Sequence, residues 1–194
     1  TTSQWDAGGD LGFFKQRLRI TADYYYKKTT DLLNTVSLPS SSGYKSTVRN
    51  IGSISNQGVE LLIEGDVVQN KDFGLTLQFN IAHNKNRVEE LADGKDILGT
   101  TYSNYGSGSI TIIREGEPLG AFYVYKDTGL DENGSLSYED MNGDGQYTDT
   151  EDRYIAGSPF PDFTYGLNCG IRYKNWDFNF FLQGSQGNDV FNLS

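Results

Sequence analysis

Apolar and polar side chains alternate along five stretches of this chain, each lasting roughly seven to eleven residues, and this repeat limits the possible folds more than any other feature. From Leu18 the apolar set runs through Ile20, Ala22, Tyr24 and Tyr26, with Arg17, Arg19, Thr21, Asp23, Tyr25 and Lys27 opposite. Val59, Leu61, Ile63, Gly65 and Val67 are separated in the same way from Glu60, Leu62, Glu64 and Asp66, with Leu62 the exception. Phe73, Leu75, Leu77, Phe79 and Ile81 form a third set, and Phe163, Tyr165, Leu167, Cys169, Ile171 and Tyr173 a fourth. Trp176, Phe178, Phe180 and Leu182 complete the series. Successive strand residues point to opposite faces, so each stretch reads as a strand with one greasy and one wet side.

A soluble sandwich would show the same period, and length and connectivity separate the two cases. A tilted strand crossing a bilayer needs about nine to eleven residues, whereas soluble strands are typically about five or six. Tight turns are expected near Lys15 and Gln16, near Asn70 and Lys71, and at Lys174 and Asn175. Between them come long connections, Asn34 to Gln57 and Val88 to Pro161. Strict alternation of short and long puts all tight turns at one rim of an up-and-down barrel and all long loops at the other. Phe13, Phe14, Phe73, Tyr173 and Trp176 collect by the tight turns and Tyr24, Tyr25 and Tyr26 toward the loops, as two interfacial girdles would. The expected fold is all-β, an antiparallel up-and-down meander forming part of a large transmembrane β-barrel, with long extracellular loops. About six strands can be counted, too few to close such a barrel, so the chain reads as a part of one.

Composition agrees. Hydrophobic residues are 36%, below the roughly 45–50% of ordinary globular chains, yet aromatics reach 13% beside 23 glycines. A net charge of −10 argues against nucleic acid as a partner. Cys169, the single cysteine, cannot form an internal disulfide and falls on an apolar face. Thr1 to Asp10 has no signal-peptide character, so an export signal is expected outside this stretch.

The second long connection carries Asp140, Asn142, Asp144, Gly145 and Glu151 at the spacing of a calcium loop. Positions one, three and five supply side-chain oxygens, Gln146 supplies position seven, Gly145 allows the bend, and Glu151 closes the shell. Helices that would flank an EF-hand are missing on both sides, so the expected role is a structural clamp ordering a long loop. The plainer reading is an acidic turn that holds water.

Ile113 to Tyr125, the Asp-rich loop after it, and Gly157 to Gly166 together resemble the C-terminal barrel region of SusC/RagA-type TonB-dependent outer-membrane transporters. Leu11 to Phe14, Ala22 to Lys28, Asn50 to Glu60 and Phe79 to Asn86 are similar to that family in kind and order. The resemblance implies a bacterial outer-membrane location in Bacteroidota and import of oligosaccharide or peptide fragments. It also implies a SusD-like surface lipoprotein as lid, contact with outer-membrane lipid, and energy from TonB through an N-terminal region outside this stretch. Two other classes compete. One is a soluble, calcium-stabilised β-sandwich that binds carbohydrate. The other is a hydrolase using His83, or a carboxylate pair such as Glu115 with Glu117 or Asp149 with Asp152, but no nucleophile motif accompanies them and no catalytic residue is assigned.

Overall fold

The computed structural model describes residues 1–37, 46–99, 109–148 and 151–192. Among the described residues twelve strands run in chain order: β1 Thr2–Phe13, β2 Leu18–Ser37, β3 Ser46–Gln69, β4 Phe73–Glu90, β5 Ile97–Leu98, β6 Thr111–Ile113, β7 Ala121–Tyr125, β8 Asp127–Leu130, β9 Leu136–Tyr138, β10 Arg153–Gly157, β11 Phe163–Tyr173 and β12 Trp176–Gln186. One antiparallel sheet takes β1-β2-β3-β4-β11-β12, so its neighbours are sequential apart from the segment between β4 and β11. That segment builds a four-stranded sheet, β10-β7-β6-β5, and a small β8-β9 hairpin.

Register turns the alternation of single strands into continuous faces. Leu11, Ile20, Ile63, Phe79, Leu167 and Leu182 lie in one row across all six strands, and Phe13, Leu18, Gly65, Leu77, Cys169 and Phe180 in the next. The opposite face carries rows such as Asp10, Thr21, Leu62, Asn80, Gly166 and Gln183. Thr21 donates to the Asp10 carboxylate at 2.6 Å and Thr76 to Asp66 at 3.2 Å, so the wet face satisfies part of its polar inventory within itself. Among the described residues no second sheet covers the apolar face, and Leu11, Phe178 and Leu182 stand about 60% exposed on it. A face-to-face sandwich, which would bury this surface, is therefore not the architecture.

The three tight turns are where the alternation placed them. Phe14, Lys15 and Gln16 take positive φ of 53, 58 and 69° in the first, and Lys174 takes 52° in the third. Asn70 accepts main-chain N–H bonds from Asp72 and Phe73 in the second.

Both expected long connections need correction. Asn34 to Gln57 is mostly the outer part of a long hairpin, since β2 pairs with β3 as far as Ser37 opposite Ser46; residues 38–45 of that stretch lie outside the described residues. The alternating pattern stops near Lys27, and pairing continues because main-chain ladder bonds do not depend on side-chain polarity. Gly52, at φ 120°, lets the backbones approach where a Cβ would sit 1.7 Å from the Glu90 carbonyl oxygen. Val67 also departs from simple alternation, at a register shift between Asp66 and Val68.

The second connection begins later than Val88, because β4 runs to Glu90, and it has an apolar core that the sequence reading did not grant it. Ile112, Ala121 and Tyr123 are buried together with Ile155 packed against them, and Ile54, Val88 and Leu91 form a second cluster with Leu32, Ile97, Ile113 and Leu119. Ile54 and Val88 share strand parity with the wet face, so the connection packs over the top of that face. Main-chain bonds fasten it there, from Val88 N–H to the Glu117 carbonyl at 2.9 Å and from Gly116 N–H to the Val88 carbonyl at 2.8 Å.

Candidate functional site

The two faces of the six-stranded sheet are the first candidate, and their dimensions can be worked out. Phe73, Tyr173 and Trp176 share a row beside the tight turns, with Trp176 79% exposed. Ten positions along β11 separate that row from the one holding Tyr24, His83 and Phe163. At ~3.3 Å per residue and a tilt of ~40°, ten positions rise about 25 Å, the height of the apolar band of an outer-membrane barrel. Trp5 adds to the second aromatic row, 5.2 Å from the ring of Tyr24 and 6.2 Å from that of Tyr26. The rows between these rims are apolar on one side only. On the other side Arg19, Asp23, Glu60, Glu64, Gln78 and Asn168 face water. Phe181, on this wet side and 59% exposed, breaks the alternation; as a single residue it gave no periodic signal.

The acidic loop is the second candidate. Asp140 turns its carboxylate into the loop, accepting the Gly143 N–H at 2.6 Å and the Gly145 N–H at 2.7 Å. Gly145, at φ 78°, makes the bend the motif requires. Asn142 accepts from the Asp144 N–H at 3.0 Å, and Asp144 from the Gln146 N–H at 2.7 Å, so three side chains hold the loop in successive Asx turns. The Asn142 amide also donates to Glu151 at 3.2 Å, bringing the two ends of the motif together. Asp140, Asp144 and Glu151 are not drawn into one carboxylate cluster, and among the described residues no group of three acidic, imidazole or thiol side chains is. The side chains of Asp140, Asn142, Asp144 and Glu151 offer hard oxygen atoms, the donor type that calcium takes.

Asp152, named from the sequence only as half of a carboxylate pair, has an anchoring role that spacing did not reveal. It is fully buried and accepts the Met141 N–H at 3.0 Å and the Thr148 N–H at 2.7 Å, tying both ends of the acidic loop to one carboxylate. Those bonds, the Thr148 N–H first, hold its carboxyl below the usual carboxylate range. The motif assigns no role to a position after Glu151, so only the fold identifies it. Arg153 follows, stacked on Tyr125 at 4.6 Å, and Tyr125, Tyr138 and Tyr147 line up at 5.2 and 6.2 Å to join the loop to β7 and β9.

Among the described hydrolase candidates, the side chains of His83, Glu115 and Asp152 are held by structural partners. The His83 ring nitrogen is 2.6 Å from the Asp162 main-chain oxygen and its ring packs on Phe163 at 5.1 Å, at the rim of the wall. Glu115 accepts the Leu91 N–H at 2.7 Å, and Glu117 uses its carbonyl to hold Val88. Asp149 lies outside the described residues.

Comparison with known proteins follows the same geometry. The family profile described as "TonB dependent receptor-like, beta-barrel" matches residues 1–192. The chain is 37% identical to TonB-dependent receptor P3 of Formosa agariphila, over 100% of this chain and 21% of that protein. It is 35% identical to TonB-dependent receptor SusC of Bacteroides thetaiotaomicron, over 98% of this chain and 20% of that one. Among solved structures, that of the RagAB peptide transporter superposes with a TM-score of 0.78 at 27% identity, covering 94% of this chain and 20% of its counterpart. The chain thus spans about a fifth of the length of these relatives.

Proposed function

The chain belongs to the TonB-dependent receptor β-barrel family, outer-membrane receptors rather than enzymes, and from that premise we propose that it is part of the wall of an importer for glycan or peptide fragments. The observation that carries this reading is the six-strand apolar face, continuous in register, left uncovered among the described residues and bounded by aromatic rows ~25 Å apart. Such a face is stable against lipid tails and costly against water. The wet face then lines the transport path, and the segment between β4 and β11 lies at the extracellular mouth, packed over the top of that face through Ile54 and Val88.

Peptide cargo is supported by the likeness to the peptide transporter, and oligosaccharide cargo by the SusC-like residues. A SusD-like surface lipoprotein would cover the mouth, and TonB would act through other parts of the parent protein, a receptor of a Bacteroidota species. The acidic loop would hold calcium through Asp140, Asn142, Asp144, Glu151 and the Gln146 carbonyl, the ion supplying the positive charge that lets three carboxylates share one space. Its task would be to fix the shape of the mouth segment, beside the apolar core that already orders it.

The test is uptake by cells in which the gene for the parent receptor has been removed. Loss of uptake of a labelled oligosaccharide or peptide pool, with uptake of a small porin-permeable sugar unchanged, is the expected result. Undiminished uptake of both pools would overturn the importer reading.

A further inference from the structure

Just beyond the outer aromatic row, the lipid side of the wall changes character. Strand parity puts Lys28, Lys85 and Arg87 on the same side as Ile20, Ile63 and Phe79, although the chain as a whole is strongly acidic. Lys28 and Arg87 share one row with Ser3 and Ser55, two strand spacings apart, or about 10 Å. Lys85 sits in the row below, with Trp5, Tyr26 and Gln57. Counted from His83, Lys85 is two positions further out and Arg87 four, which is about 5 and 10 Å along the normal at the same rise and tilt. The headgroup layer adds roughly 5–8 Å to each side of the hydrocarbon, so the Lys85 backbone falls within it, and Lys28 and Arg87 sit a few ångströms above its outer edge, within the reach of their own long side chains.

The local chemistry keeps these cations available. Lys85 and Arg87 are exposed and Lys28 half-buried, and none of the three has an ion-pair partner among the described residues. Ser55, between Lys28 and Arg87, is buried and donates its hydroxyl to Glu89 at 2.5 Å, so that neighbouring carboxylate has a partner of its own. The Arg87 guanidinium lies over Gly116, which adds no side chain to crowd it. Glu117 and Asp162 share a cleft with Lys85, on the side away from Lys28.

We propose that Lys28, Lys85 and Arg87 form a docking face for the phosphate groups of outer-leaflet lipid headgroups, anchoring the wall at a fixed height. The proposal rests on the outer-membrane reading, because only there do the three positions meet headgroups. Each surface cation near an anionic membrane is worth a factor of about five, so removing three should weaken phosphate-lipid binding about a hundredfold.

The full-length parent receptor, purified in detergent, would be titrated with a bisphosphorylated lipid A and with the same lipid after both phosphates are removed. The expected result is tight binding of the first, weak binding of the second, and an approximately hundredfold loss for the first in Lys28→Gln/Lys85→Gln/Arg87→Gln. Neutralising Lys15, Lys71 and Lys174 at the opposite rim should leave binding unchanged. Equal binding of the two lipids, equal losses from the two triple variants, or complete competition by millimolar inorganic phosphate would each overturn the proposal. Heat-modifiable migration of the same preparations reports on the barrel separately, so failure of the wall reading is distinguishable from failure of the docking face.

Discussion

Leu167 and Asn168 are chain neighbours on opposite faces of one strand, and replacing each with arginine separates the two environments. Leu167 lies six positions from Tyr173, so it rises about 15 Å from the turn-side aromatic row and sits near the middle of a ~25 Å band. An arginine at the lipid-facing midplane of a barrel costs about 2–4 kcal/mol, a factor of roughly thirty to several hundred in folded over unfolded protein. Asn168 shares its row with Gln78 and Glu64, and an arginine there meets water and lies about 10 Å from a carboxylate. Its expected cost is below about 0.5 kcal/mol. The assay is denaturant titration of the full-length receptor folded into lipid vesicles, with heat-modifiable migration as the readout of folded barrel. Leu167→Arg should lower the midpoint and Asn168→Arg should not. Equal effects at the two positions, or a larger one at Asn168, would refute the assignment of faces.

Three further outcomes are expected. Calorimetric titration of the parent receptor with calcium should show a site that Asp140→Ala and Glu151→Ala each weaken severely; unchanged binding in both variants would remove the ion from the account. Asp152 has its folded carboxyl held below the usual range by the Thr148 and Met141 N–H groups, so its contribution is complete above the ordinary carboxylate pKa and is lost as pH falls through the lowered value. An acid titration followed by proteolysis of the mouth segment should therefore show opening in the wild type only at low pH, and Asp152→Asn should be open at neutral pH with that acid step abolished. Ile112→Ala, at a position 1% exposed, should cost about 2–5 kcal/mol and speed hydrogen exchange in residues 109–125 while leaving the heat-modifiable wall intact.

Several elements are legible in the sequence alone. The apolar sets of β2, β3, β4, β11 and β12 and the positions of the three tight turns could be read because period-two alternation and turn residues are local signals. The Asp-rich loop was equally visible, since its ligand spacing is a property of twelve consecutive residues. β1 was much less so. Thr2 to Phe13 mixes Gly, Asp and single aromatics without a clear period, and it is a strand because β2 offers it a ladder from Thr29 to Leu18. The outer halves of β2 and β3 have the same origin, in pairing and not in pattern.

The sequence by itself determined that the chain is all-β, which side of each alternating strand is apolar, and where the chain reverses tightly, because side-chain alternation and turn chemistry act over a few neighbouring residues. Tertiary structure decided the rest. It aligned the single-strand patterns into two continuous faces, fastened the mouth segment over the wet one through Ile54, Val88 and Leu91, and made Asp152 the anchor of the acidic loop. Those outcomes depend on hydrogen bonds and contacts between residues tens of positions apart, and no local pattern encodes such partners.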